Sequence, residues 1–192
     1  APSDVPTSLA GHRLMRVIEQ PGFSLLLFGE TFAGARFVAV LDDRREVVQV
    51  FDFQSYRRAP SVFPGDEAFV DQLVQWARVE HGVLFVSNGH RTYSKSSAGQ
   101  NAYITALDLQ TGDPLWRSAP LVSNAVDFVV EGGFIVSGYG FTDEPDFVYV
   151  LDASTGKTLG KTSVRSGPDY LVMKEGRLFV RTYDTDYVFD LR

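Results

Sequence analysis

Val126-Asp127-Phe128-Val129-Val130-Glu131-Gly132-Gly133-Phe134-Ile135-Val136 sets an apolar run on each side of a Glu-Gly turn. Glycine takes positive φ without steric cost, so two such runs joined this tightly read as an antiparallel hairpin. The same arrangement occurs three more times. Leu14–Ile18, Glu19-Gln20-Pro21-Gly22 and Phe23–Phe28 form one copy. Trp76–Val79, Glu80-His81-Gly82 and Val83–Val86 form another. Leu171–Met173, Lys174-Glu175-Gly176 and Arg177–Val180 form the last.

A third run ending in Asp follows each hairpin: Phe37–Asp42, Tyr103–Asp108, Phe147–Asp152 and Tyr187–Asp190. A turn and a fourth run come next, at Val47–Phe51, Leu115–Arg117 and Thr158–Thr162. The four aspartates stand 66, 44 and 38 residues apart. A period of about 40 to 50 residues with four short strands per unit is the signature of a propeller blade. The expectation is one all-β domain of about four blades, each of four antiparallel strands. The blades fall at approximately 13–58, 72–118, 122–165 and 169–192. Residues 54–75 lengthen the first interval, and Asp66-Glu67 is expected to cap one short helical turn there. The fourth unit stops at its third strand. Residues near 3–10 are expected to pair beside Tyr187–Leu191 and close the ring, which would protect exposed strand edges.

Ala106-Leu107-Asp108-Leu109-Gln110-Thr111-Gly112-Asp113-Pro114-Leu115-Trp116 fits A-x-D-x-x-T-G-x-x-x-W. Leu151-Asp152-Ala153-Ser154-Thr155-Gly156-Lys157 repeats its core, with Gly160 in the Trp position. Leu41-Asp42 and Phe189-Asp190 keep the Asp alone. This pattern resembles the tryptophan-docking repeat of pyrroloquinoline-quinone (PQQ)-like propellers. That family includes quinoprotein dehydrogenases and a non-catalytic outer-membrane assembly lipoprotein. The motif has its own physical logic. The Asp accepts turn N–H groups, the Gly takes positive φ, and Trp116 offers a flat face for packing between blades. The resemblance implies the architecture and, with it, a bacterial periplasmic or secreted protein. It does not carry the enzyme activity, because no residue here matches the family's base or calcium ligands and the adjacent-cysteine pair has no counterpart. PQQ is therefore not expected as a cofactor.

Composition narrows the function classes. The chain of 192 residues has no cysteine, which excludes disulfides and thiolate chemistry. A net charge of −6 argues against nucleic acid as a partner. No apolar stretch is long enough for a membrane helix. Gly156-Lys157-Thr158 ends like a phosphate-binding loop, but Leu151 stands where the first Gly belongs and the context is strand–turn–strand. Gly138-Tyr139-Gly140 lacks a third Gly and a following helix, and reads as a strand end. His12, His81 and His90 lack metal-ligand spacing, and no Gly-x-Ser-x-Gly elbow is present.

Loop length concentrates on one face, at 29–36, 54–75, 88–102, 117–125, 139–146, 165–170 and 182–186. Binding residues gather on loops held by a rigid scaffold. The candidates for partner contact are His90, Arg91, Tyr93, Tyr139, Asp143, Asp146, Arg57 and Arg58. Asp143, Glu144 and Asp146, with Asp184 and Asp186 of the next unit, are candidate calcium ligands. A solvated acidic loop is the alternative, since calcium needs six to eight oxygens. The functional expectation is a non-catalytic scaffold that binds a protein or peptide through the long-loop face. The alternatives are a small propeller enzyme acting on a sugar or small molecule, and a fragment of a larger PQQ-like propeller.

Overall fold

The computed structural model describes residues 5–30, 34–56 and 61–190. The described residues form four antiparallel sheets in chain order. The first holds β1 (Ser8–Leu9), β2 (His12–Gln20), β3 (Phe23–Gly29), β4 (Phe37–Asp42) and β5 (Val47–Asp52). The second holds β6 (Leu73–Glu80), β7 (Val83–Gly89), β8 (Tyr103–Asp108) and β9 (Pro114–Arg117). The third holds β10 (Val129–Glu131), β11 (Phe134–Tyr139), β12 (Phe147–Asp152) and β13 (Thr158–Ser163). The fourth holds β14 (Pro168–Lys174), β15 (Arg177–Thr182) and β16 (Asp186–Asp190). Each sheet is a meander whose neighbours in sequence are neighbours in space.

The repeat extends to its irregularities. The inner strands of the first, second and fourth sheets each carry a bulge near their start, at Leu14/Arg16, Val74/Trp76 and Pro168/Tyr170. The outer pairs each slip at the same point, at Val40/Leu41, Ala106/Leu107 and Val150/Leu151. A bulge sharpens local twist, which lets successive sheets splay as blades. The Asp turns are built as their residue types require. Asp108 Oδ1 accepts the N–H groups of Gln110 and Thr111, each at 2.8 Å. Asp152 Oδ1 accepts those of Ser154 and Thr155 at 2.8 and 2.9 Å. The hydrogen bonds of these turns hold both carboxyls below the ordinary aspartate range: the Thr111 N–H is the largest influence on Asp108, and the Ser154 hydroxyl, donating at 2.6 Å, is the largest on Asp152.

The core lies between sheets. Leu25, Leu27, Val38, Val40 and Phe53 pack against Val74, Ala77, Leu84 and Val86. Phe85, Ile104 and Ala106 pack against Val130, Ile135 and Leu151. Ala125, Val136 and Val148 pack against Leu171, Leu178 and Val180. Burying these side chains is the main favourable contribution to the fold. A fourth cluster lies on the far side of the first sheet, where Val5 packs with Leu26, Phe28, Phe37, Ala39 and Leu41. The far face of the fourth sheet instead exposes Tyr170, Val172, Phe179 and Val188.

Two expectations are corrected. The segment expected beside Tyr187–Leu191 joins the first sheet, where Ser8 pairs with Arg13 and Leu9 with His12. The reason is local. Ala10 and Gly11 both take positive φ, 50° and 81°, and so make a two-residue hairpin of the kind that suits strand twist. The fourth sheet therefore has three strands among the described residues, while residues 3, 4 and 191 of that expectation lie outside them. Asp66-Glu67 starts no helix. Phe63 and Asp66 head successive turns, and the short 3-10 turn of this insertion lies earlier, at Gln54–Tyr56.

Candidate functional site

The long-loop ends of the second, third and fourth sheets frame an open cavity of about 640 Å³. Its walls come from Gln75, 90–91, 124–126, 140–144, Asp146, 166–169 and Tyr183. Arg91, Asp143 and Asp146 line it, as do Phe141 and Asp169. Arg91 also borders a second cavity of about 300 Å³, formed with Glu30, Arg36, Phe69 and Asp71. The buried Arg36 guanidinium donates to Asp71 at 2.5 Å there.

Glu144 ties two loops together. Its Oε1 accepts from the Ser94 N–H at 2.8 Å and the Ser94 hydroxyl at 2.9 Å. Its Oε2 accepts from the Tyr139 hydroxyl. Tyr139 is buried, and that burial, with Glu144 second, raises its hydroxyl far above the ordinary tyrosine range. Tyr93 packs edge-on to Phe141 with 5.0 Å between ring centres, and the Lys95 ammonium sits 5.0 Å above the Tyr93 ring. Asn124 pins the end of β11: its amide donates to the Gly140 carbonyl at 2.8 Å and accepts the Gly140 N–H at 3.0 Å. Gly140 must be glycine there, because a Cβ would overlap the Asp146 carboxylate and the Gly167 backbone.

His90 is a brace. It is 3% exposed, and its Nε2 lies 2.7 Å from the Ser97 hydroxyl, which itself donates to the Ser94 carbonyl. Nδ1 faces the Thr92 N–H. This chain of donors assigns the neutral tautomer with hydrogen on Nε2, and burial lowers the ring's basicity in the same direction.

The candidates from sequence thus divide. Arg91, Asp143 and Asp146 face the cavity, Tyr93 flanks it through Phe141, and the polar atoms of His90 and Tyr139 are taken up inside the loops. Arg57 and Arg58 lie outside the described residues. Glu144 is spoken for by Ser94 and Tyr139. Asp184 accepts from Ser166 at 2.7 Å, and Asp186 pairs with Arg181 through two 2.8 Å bonds. Among the described residues no three His, Asp or Glu side chains gather as a metal-binding group. The cavity also holds three residues that sequence reasoning passed over: Phe141, Asp169 and Tyr183, the last 90% exposed. Asp169 stands at the start of β14, just past a blade-to-blade connection, and its place within the connection expected at 165–170 was the available signal.

Asp146 has the distinctive electrostatics. Burial raises its carboxyl above the ordinary aspartate range, and it has no ion pair among the described residues. Among the described residues lining the cavity, Arg91 is the one permanent cation, against Asp143, Glu144, Asp146 and Asp169.

No family model and no curated protein matches the chain. Solved structures do. The computationally designed Ika4 protein aligns at 15% identity over 96% of each chain, with a TM-score of 0.58. Four stacked antiparallel sheets with this likeness decide the architecture. The fold is a four-bladed β-propeller. The propeller is also similar to the quinohemoprotein alcohol dehydrogenase ADHIIG from Pseudomonas putida HK5, at 14% identity, 91% of this chain, 32% of that chain and a TM-score of 0.54. The Cps50 (Swd1) β-propeller domain from Myceliophteria thermophila aligns at 10% identity, 94% and 55% coverage and a TM-score of 0.55. The propeller thus spans about a third of the dehydrogenase and about half of the Cps50 chain.

Proposed function

We propose that this propeller is of the PQQ-like type and acts as a non-catalytic binding module, seating a basic segment of a protein or peptide in the long-loop cavity. One observation carries the reading: Asp143, Asp146 and Asp169 share a cavity wall with Phe141 and the protruding Tyr183. A half-buried carboxylate without a cation costs solvation free energy, and an incoming ammonium or guanidinium would offset that cost. The aromatic pair suits the aliphatic stem and charged head of Lys or Arg. The overall charge of −6 favours the encounter. The same acidic wall suits PQQ poorly, because the quinone is itself a tricarboxylate and would meet like charge. The reading gives it no part. Export to the periplasm or beyond goes with the family resemblance, and cell fractionation tests it.

The experiment is fluorescence anisotropy with a labelled Lys/Arg-rich peptide and its Asp/Glu-rich counterpart. Binding of the basic peptide should weaken with salt, and Asp143→Asn with Asp169→Asn should reduce it by roughly tenfold, about one charged contact each. Equal binding of the acidic peptide, or an unaltered double variant, would sink the reading. A second reading, a small sugar- or small-molecule-processing enzyme, is favoured by the raised Asp146 carboxyl in a concavity that Asp169 also lines. Turnover of aryl glycosides that disappears in Asp146→Asn would support it, and turnover unchanged by that variant would remove it.

A further inference from the structure

The outer strands repeat one position whose side chain crosses to the next blade. Gln49 pairs with Val40, Trp116 with Ala106 and Gly160 with Val150, each immediately beside the outer bulge. Gln49 donates to the Gln110 carbonyl at 3.1 Å and lies against Gly112 in the Asp turn of the second blade. Trp116 lies on Gly156 in the Asp turn of the third, so closely that a Cβ on Gly156 would fall within the ring. The indole also packs against the cluster of Phe85, Ala106 and Val130, 5.9 Å from the Phe85 ring. Gly160 sends nothing across. In the place corresponding to the Trp116 indole is an open groove of about 460 Å³ between the third and fourth blades.

Shifted by one blade, the side walls of the groove match those around Trp116, while the place of the Gly156 turn is open among the described residues. Phe134 stands where Val83 does, Val136 where Phe85 does and Val150 where Ala106 does. Leu159 and Met173 complete the apolar lining, and Phe134 and Leu159 remain exposed. Glu131 adds a carboxylate at the rim. This size and lining, apolar with one polar group, are those of a small-molecule site.

We infer that the groove vacated at Gly160 is a binding site for a small planar aromatic amine of indole size. The ring takes the slot that Trp116 fills one blade earlier, and the positive charge of the amine complements Glu131. The site is on the face with the short Gly turns, opposite the long loops, so it stands independently of the peptide-binding reading.

The probes are tryptamine and the anionic indole-3-acetate, titrated into the 15N-labelled full chain and followed by amide NMR. Tryptamine should shift the Gly132, Gly160 and Gly176 amides saturably at millimolar concentration. It should bind roughly two- to fivefold tighter than indole-3-acetate, the effect of one partly exposed ion pair. Gly160→Trp should fill the groove, abolish both titrations and raise Tm, because a Cβ at Gly160 meets nothing within 4 Å. Glu131→Gln should leave the fold intact and erase the preference for the amine. The proposal is overturned by non-saturable shifts, by shifts centred on the long loops, by binding that persists in folded Gly160→Trp, or by an amine preference retained in Glu131→Gln.

Discussion

Asp127 gives the sharpest test of how these blades are held. It sits in the connection into β10, and its Oδ1 accepts the N–H of Leu171 at 2.8 Å, joining the third blade to the fourth. Burial, outweighing that bond and the attraction of Arg16, pushes the carboxyl up to about 6. In the unfolded chain it titrates near 3.9. The native state therefore holds the extra proton between about pH 4 and 6. Its stabilising effect is complete below pH 4 and is lost as pH rises through 6. Two units at about 1.36 kcal/mol each give an upper bound of about 3 kcal/mol. The side chain is only partly buried, so solvent reduces this to about 1–2 kcal/mol. Asp127→Asn keeps an oxygen to accept the Leu171 N–H and removes the charge. The variant should equal the parent near pH 4 and exceed it at pH 7 by about 1 kcal/mol, allowing for the lost Arg16 attraction, or about 2–4 °C in Tm for a chain of this size. Urea melts followed by the fluorescence of the two tryptophans across pH 4–8 measure the difference. Other carboxyls cancel in the comparison. A stability difference that is flat with pH, or that favours the parent increasingly toward pH 7, would refute the account.

Glu144→Ala should cost about 2–3 kcal/mol in a denaturation melt, since it leaves the buried Tyr139 hydroxyl and the Ser94 donors without their charged acceptor; a loss under half a kcal/mol would show the loops are not tied there. Gly156→Ala should cost about 2 kcal/mol or more from positive φ and collision with Trp116, and part of that should return when Trp116→Ala is added, so a double-mutant cycle with no coupling would remove the docking contact from the account. Leu151→Ala, fully buried between the second and third blades, should cost about 2–5 kcal/mol by thermal melt, and a near-neutral result would mean that interface collapses around the gap.

The blades were legible because their determinants are local. Alternating apolar runs specify strands, Gly at a positive-φ position specifies a hairpin, and an Asp three residues before a Thr carries its own turn within reach. Even the corrected N-terminus was written locally: Ala10-Gly11 makes a two-residue hairpin, and that short-range geometry prevailed over a ring closure requiring residues almost 180 positions apart. The long-loop face was legible as a region, since connection length alone marks it. Its members were only partly so. Composition cannot distinguish His90, a buried brace on Ser97, from Arg91 beside it, which faces solvent.

Sequence alone determined the four-fold hairpin repeat, the Asp-turn chemistry and the face that carries the variable loops, because each depends on residues within one turn of one another. Tertiary structure alone decided that Glu144 is committed to Tyr139 and to Ser94, 50 residues away. It also decided that Asp146 is partly buried with no ion pair among the described residues, and that Trp116 fills one groove while Gly160 leaves the next one open. Those outcomes depend on which blade faces which, and burial and charge are properties of the assembled surface rather than of any segment.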